Sequence, residues 1–264
     1  MNKVTKRILF TCAVAFTLAA VVFSYLKITP LEDDTANKLL NEVIPRICGG
    51  VASVLAIFLL GHEHILKVKK QGFFINLLWC VPCFLVVFAN FPFSAIIKGT
   101  AQIEHIELLP LFIVKCFAIA IMEEAVFRGI VHGIIEEKMT DRKYPTFAAI
   151  FISSAIFGLW HLLNLLEGAG VFATVLQVGY SFLTGAMFAA VTIKTGNIWG
   201  AVVLHALFDV GGLIINDLGS GRFQDTTFWI LTVVCGAICL IHVVLFIYKR
   251  DKGNEIAPDA QPKN

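Results

Sequence analysis

Charge is what this sequence has least of. Asp, Glu, Lys and Arg make up 15% of its 264 residues, where soluble domains usually carry about a quarter, and 58% of the chain is hydrophobic. The mean hydropathy of +0.81 excludes an ordinary soluble domain and points to a protein that crosses a membrane several times. Lys and Arg number 21 against 19 Asp and Glu, a net charge of +2 with no clustered basic face, which excludes a nucleic-acid partner. Polar stretches long enough for a soluble second domain are also missing, since the longest loops, 27–42 and 92–107, are too short for a core of their own. Disulfide architecture is not indicated either. The seven cysteines fall in apolar stretches, and the lone C-x-x-C of Cys80 and Cys83 lacks the second pair that a zinc site would need, so both read as packing residues. Two hydrolase signatures are absent, G-x-S-x-G and H-E-x-x-H, which argues against an elbow serine nucleophile and a zincin helix.

What is present is a series of apolar runs. A hydrocarbon core about 30 Å thick needs about 20 apolar residues per helix, and this criterion predicts an all-α polytopic protein of about eight transmembrane helices: 8–25, 43–60, 73–91, 108–135, 145–166, 171–193, 198–215 and 228–248. The first run exceeds a signal-peptide core and no clear cleavage site follows, so it reads as a retained helix. Residues 252–264 read as a disordered tail. With this topology fourteen of the 21 Lys and Arg fall on the side of the termini, among them Lys3, Lys6, Arg7, Arg142 and Lys249, and only Lys27, Lys38, Lys98 and Arg222 fall opposite. The positive-inside rule then puts both termini, and the tail, in the cytoplasm.

Ionisable residues inside apolar runs are costly and mark functional sites by default. Three clusters stand out. In the fourth run, Glu123, Glu124 and Arg128 interrupt an apolar helix; Glu124 and Arg128 are four apart on one face and can pair, while Glu123 points about 100° away and is left to face a cavity. In the fifth, His161 and Asn164 share a helical face. In the seventh, His205 and Asp209 are four apart, where a carboxylate can orient an imidazole. Other polar residues carry blander readings. His62, His64, His105 and His132 are expected at interfaces near helix ends; His242 and Lys115 are expected to be lone structural or snorkelling residues; Tyr180 and Gln177 are weaker candidates for a cavity lining. Arg46 could snorkel or hold a lipid headgroup, and the sequence does not choose.

A carboxylate beside histidine is the equipment of a hydrolase: a general base for water, and a donor for a developing oxyanion. Glu123, His161 and His205 could fill these roles. Two histidines with carboxylates are also a zinc set, in which the metal would activate the water. A transporter or proton relay would place Glu and His in the membrane as well, but no internal repeat is visible.

The stretches E-E-A-V-F-R-G from Glu123, F-G-L-W-H ending at His161 and H-A-L-F-D from His205 to Asp209, in this order on three apolar runs, closely resemble the signature of the CPBP family, the CAAX protease and bacteriocin-processing intramembrane endopeptidases, also called Abi. The resemblance implies one transmembrane domain over 1–251 with its motif core at about 108–217. It implies that Glu123 and His161 activate water, that Glu124 and Arg128 support them with Asn164 nearby, and that His205 with the residue four beyond it stabilises the oxyanion. That last position is typically Asn in prenyl-protein endopeptidases, whereas this chain has Asp209, which accepts but cannot donate when ionised. The substrate implied is a membrane-associated peptide or a lipidated, CAAX-type protein within the lipid bilayer, with no cofactor preferred. The alternatives are a zinc-dependent endopeptidase with His161 and His205 as ligands, and a non-catalytic bacteriocin-immunity protein. With no targeting segment apparent, the expected location is a bacterial plasma membrane.

Overall fold

A chain this apolar satisfies its backbone polar groups within helices, and a computed structural model of the protein is helical nearly throughout. It describes residues 2–26, 29–68, 72–166 and 168–256. Among the described residues, six helices are long and apolar enough to cross a membrane: α1 (Lys3–Leu26), α2 (Asp34–Leu60), α8 (Pro145–Trp160) with the 3-10 turn that continues it (His161–Leu165), α9 (Val171–Thr195), α10 (Trp199–Leu218) and α11 (Thr226–Ile256). The other two predicted runs are helical but interrupted, so the count of eight is approximate. The third is split at Cys80 into α3 (Phe73–Trp79) and α4 (Val81–Ala89), where Pro82 starts the second piece because it lacks an N–H to continue the first. The fourth runs as α6 (Leu109–Glu124), a π-helical segment (Ala125–His132) and α7 (Gly133–Met139). A short α5 (Phe93–Ile97), two 3-10 turns (Glu63–Leu66 and Ile106–Leu108) and two three-residue strands complete the description, β1 (Ala101–Ile103) pairing antiparallel with β2 (Gly219–Gly221) so that Gln102 faces Ser220.

Local chemistry sets the helix ends. Asp33 caps α2 by accepting from the Ala36 N–H at 2.9 Å, and Gly61 ends it in the left-handed conformation at φ 81°. α11 runs on to Ile256, past the predicted start of the tail, and the remainder of that tail, 257–264, lies outside the described residues. Near that end Asp251, buried, accepts from the backbone N–H groups of Thr146 and Phe147 at 2.9 and 3.0 Å, so a carboxylate more than 100 residues away caps the start of α8.

α2 and α6 run side by side in the same direction. An added Cβ on Gly49 or Gly50 would meet Met122 or Ile121, and farther along one on Gly129 would collide with Ile57. Glycine at these positions lets the two backbones approach, the device that brings membrane helices together. Three apolar clusters hold the remaining helices: one joins α4, α9, α10 and α11 around Cys83, Phe188, Leu204 and Cys239; one joins α2, α6 and α10 around Leu39, Phe112 and Leu218; and one holds Ile57, Ala120, Ala125 and Val202. Cys80 and Cys83 are buried packing residues, with Cys83 Sγ 4.0 Å from Cys239 Sγ and no disulfide. By contrast Phe74, Phe172, Val233 and Ile241 stand exposed on outer faces, as lipid-facing side chains do.

Several polar residues differ from the sequence expectation. Lys115 is not lone: 3% exposed, it pairs with Glu42 at 2.6 Å and Asp217 at 2.7 Å, and Asp217 also receives Lys38 at 3.2 Å. A buried ammonium needs such partners to offset its lost hydration. His132 and His62 are buried rather than interfacial: His132 Nδ1 lies 3.2 Å from Ser153 Oγ, and His62 bridges the Gly129 carbonyl and Glu137. His242 packs its ring against Trp79, centroids 4.4 Å apart.

Candidate active site

The end of α6 delivers Glu123 and Glu124 on adjacent residues, and the π-helical turn that begins at Ala125 carries Arg128. π segments place one extra residue in a turn and recur where a helix must aim side chains at a site. Arg128 donates from Nη1 to Glu124 Oε1 at 3.0 Å and from Nη2 to the Gly185 carbonyl of α9 at 3.1 Å. Its guanidinium lies over Phe157 at 4.4 Å and Phe188 at 5.4 Å. A charge so deeply buried is tolerable only when its donors are used and its faces are covered by aromatic rings, and both conditions hold here. The pairing of Glu124 with Arg128 that the four-residue spacing suggests is therefore present, with Glu124 fully buried.

α10 brings His205 onto the same carboxylate. Its Nδ1 lies 2.7 Å from Glu124 Oε1, and its ring stacks on Phe188 at 4.9 Å with 16° between planes. Glu124 Oε1 thus receives both Arg128 and His205, and the imidazole is held by a hydrogen bond at one nitrogen and an aromatic ring on one face. Asp209 does not hold that nitrogen, contrary to the expectation from its spacing. It stands on the other side of the ring, its Oδ2 3.7 Å from Nε2. Glu123 Oε2 is likewise 3.7 Å from Nε2. Both distances exceed a direct hydrogen bond and leave the contacts electrostatic. Among the described residues neither carboxylate oxygen has a hydrogen-bond partner, although both are buried atoms. Two unsatisfied acceptors near one imidazole nitrogen call for an explanation.

His161 lies where α8 gives way to the 3-10 turn, so it and Asn164 sit on a tightened turn rather than on one continuous α-helical face. Asn164 Nδ2 donates to Gln177 Oε1 of α9 at 2.9 Å, and Gln177 Nε2 lies 3.2 Å from His161 Nδ1. With the glutamine oxygen occupied by Asn164, its amide nitrogen donates to Nδ1, and a neutral His161 carries its proton on Nε2. The Phe157 ring sits between the two histidines, 5.3 Å from His161 and 6.0 Å from His205 in edge contacts. Glu123, Glu124, Arg128, His205 and Asp209 form one cluster; His161 belongs to the neighbouring Asn164 and Gln177 chain and makes no direct hydrogen bond to Glu123.

Glu123 Oε2, Asp209 Oδ2 and His205 Nε2 are metal-type ligand atoms, but they do not form a tightly spaced ligand set. The one His and carboxylate trio with tight ligand-atom spacing among the described residues is Asp33, His105 and Glu107, at the start of α2 and the loop before α6. Gln177, a weaker candidate from the sequence, joins the site, and its polarity on α9 at membrane depth is the signal for it. Phe157 heads the F-G-L-W-H stretch that ends at His161, whereas Phe188 carries no sequence signal that separates it from core.

Residues 105–211 match the family described as type II CAAX prenyl endopeptidase, Rce1-like, a stretch that runs from the loop before α6 through the middle of α10 and contains every residue of the cluster. That match bears out the resemblance of the three motifs to the CPBP (CAAX protease) family and supports CAAX-type intramembrane protease activity, a membrane hydrolase. No curated protein and no solved structure matches the chain.

Proposed function

We propose that the protein is an intramembrane endopeptidase that hydrolyses a peptide bond of a membrane-associated peptide or lipidated protein, using a water bound by Glu123 beside His205. The observation that carries this reading is the pair of buried, unpartnered carboxylate oxygens of Glu123 and Asp209 facing His205 Nε2 at 3.7 Å. Glu123 takes the proton of the attacking water, the carbonyl oxygen gathers negative charge, and the same proton goes to the leaving amine as the tetrahedral species collapses. His205, its Nδ1–H given to Glu124, donates from Nε2 to the oxyanion in its doubly protonated form. His161 is a second donor through Nε2–H, set by Gln177. In this arrangement its contribution is to orient the carbonyl or the leaving group, and the base is Glu123. Asp209 faces His205 as an acceptor, which favours a role in supporting the imidazolium over one at the oxyanion.

The distribution of Lys and Arg supports both termini in the cytoplasm, and with them the α6–α8 connection that carries Lys138, Arg142 and Lys143. The membrane we infer is a bacterial plasma membrane.

Purified protein in lipid nanodiscs tests the reading with a fluorogenic prenylated peptide and a mixed peptide library. Cleavage that resists chelator and is lost in Glu123→Gln supports it. Chelator-sensitive cleavage restored by zinc would replace it with a metal mechanism, and library cleavage equal in wild type and variant would remove Glu123 from the chemistry.

A further inference from the structure

The start of α2 meets the loop that enters α6 through three ionisable side chains. Asp33, His105 and Glu107 each bring one ligand atom within 4.8 Å of those of the other two. His105, expected from the sequence only as an interfacial residue, is thus part of a mixed imidazole and carboxylate set. Its Nδ1 lies 3.2 Å from Glu107 Oε1, and among the described residues no Lys or Arg pairs with any of the three. Two carboxylates carry more negative charge than one neutral ring offsets, and Glu32, Asp34 and Glu104 beside them in the chain add to it. The trio is open to water, with the side chains of His105 and Glu107 39% and 61% exposed.

The backbone beneath these side chains is already held. Asp33 uses Oδ1 to cap α2, which leaves Oδ2 for a ligand. The turn ahead of it is closed by buried Asn37, which accepts from the Leu31 N–H at 3.1 Å and donates to the Leu31 carbonyl at 2.7 Å. On the other side the N–H groups of Glu104 and His105 both donate to the Leu218 carbonyl at the end of α10, at 2.8 and 2.9 Å. Binding groups fixed in advance lose little freedom when a ligand arrives. We propose that Asp33, His105 and Glu107 bind a zinc ion that fastens the start of α2 to the loop before α6. Zinc takes imidazole nitrogen and carboxylate oxygen at about 2.0–2.2 Å, so its ligand atoms stand about 3–4 Å apart, and small rotations of the three side chains close the set with a water as fourth ligand. Calcium and magnesium favour all-oxygen sites, so the imidazole selects a zinc-like ion. From Leu109 to Glu123 α6 rises about 21 Å, which removes this ion from the reacting groups. It acts as a clasp at one end of the seam between α2, α6 and α10 that Lys115 ties with Glu42 and Asp217. The assignment is independent of the endopeptidase reading.

The test counts metal rather than turnover. Untagged protein in phosphatidylcholine nanodiscs is dialysed against zinc, and bound metal and melting temperature are measured for wild type, Asp33→Asn, His105→Gln, Glu107→Gln and Glu123→Gln. Asn caps a helix as well as Asp does, so Asp33→Asn removes a ligand charge and keeps the fold of the site. The expected result is one zinc per chain in wild type and in Glu123→Gln, held at least about tenfold more weakly in each of the three ligand variants. Zinc at a hundred times its Kd should raise the wild-type melting temperature by roughly 5–10 °C, with Asp33→Asn melting like wild type when metal is absent. Wild type that binds no zinc, or zinc retained in all three ligand variants, would overturn the assignment. An equal rise with magnesium or calcium would reduce the trio to a diffuse acidic surface and overturn it too. Zinc lost from Glu123→Gln but kept in the ligand variants would place the ion at the catalytic cluster instead, so the clasp and the metal-free endopeptidase reading fail by different results.

Discussion

Replacing Arg128 by Met keeps much of the side chain's volume and removes its charge from a place where the partner cannot find water. Glu124 is fully buried, its Oε1 shared between Arg128 and His205, and its Oε2 has no partner among the described residues. Removing one member of such a pair leaves an uncompensated buried charge and costs about 3–5 kcal/mol. The lost contact of the guanidinium with Phe157 at 4.4 Å and the freed Gly185 carbonyl act in the same direction. For a chain of this size about 2–4 °C of melting temperature accompanies each kcal/mol, so Arg128→Met should melt on the order of 10 °C below wild type when unfolding is followed by intrinsic fluorescence in one detergent. The sharper expectation concerns the double variant. Glu124→Gln alone strands the guanidinium and Arg128→Met alone strands the carboxylate, whereas together they strand neither, so the double variant should be more stable than the sum of the singles by about 1–3 kcal/mol. Strict additivity, or an unchanged melting temperature in Arg128→Met, would refute the reasoning that the two charges exist for each other.

Further outcomes follow from the same geometry. Gln177→Leu removes the donor that fixes His161 while leaving the ring in place, so kcat should fall about 10- to 100-fold with little change in melting temperature, as for other residues that orient a reacting imidazole; equal kcat would detach His161 from the reaction. Asp251→Ala should cost about 1 kcal/mol by uncapping α8, read as a lower melting temperature and faster amide exchange at Thr146 and Phe147; unchanged exchange would contradict the cap. Asp225, in the loop before α11, is lowered to about 2 by Lys98 first, then by the Phe228 N–H and Ser94. Its folded pKa lies below the ordinary 3.8, so its contribution is present above that value and fades as pH falls toward 2. Asp225→Asn should therefore flatten the acid limb of the melting-temperature profile between those values, and an unaltered limb would argue against the tie.

What could be read from the sequence was whatever lies within one helix. The apolar runs gave the helices, and the four-residue spacing gave Glu124 with Arg128, because rise and turn are fixed by backbone geometry. Pairings between helices were not legible. Asp209 has the same spacing to His205, yet Nδ1 goes to Glu124, 81 residues away; Lys115 looked lone because Asp217 is 102 residues off. The fifth run was expected to stay helical through residue 166, but the 3-10 turn at His161 shifts Asn164 toward Gln177. The π turn after Glu124 was equally invisible, since nothing in Ala125–His132 departs from an ordinary helical pattern.

The central claim is that Glu123 activates a water for attack on a peptide carbonyl beside His205. The most direct test is digestion of a prenylated peptide by the reconstituted protein in water enriched in ¹⁸O, with wild type and Glu123→Gln compared by mass spectrometry under single-turnover conditions. The account predicts one ¹⁸O in the new carboxylate of the product and a loss of rate of at least about 10²-fold in the variant, the scale of a general base. Product formed at the wild-type rate by Glu123→Gln would contradict it.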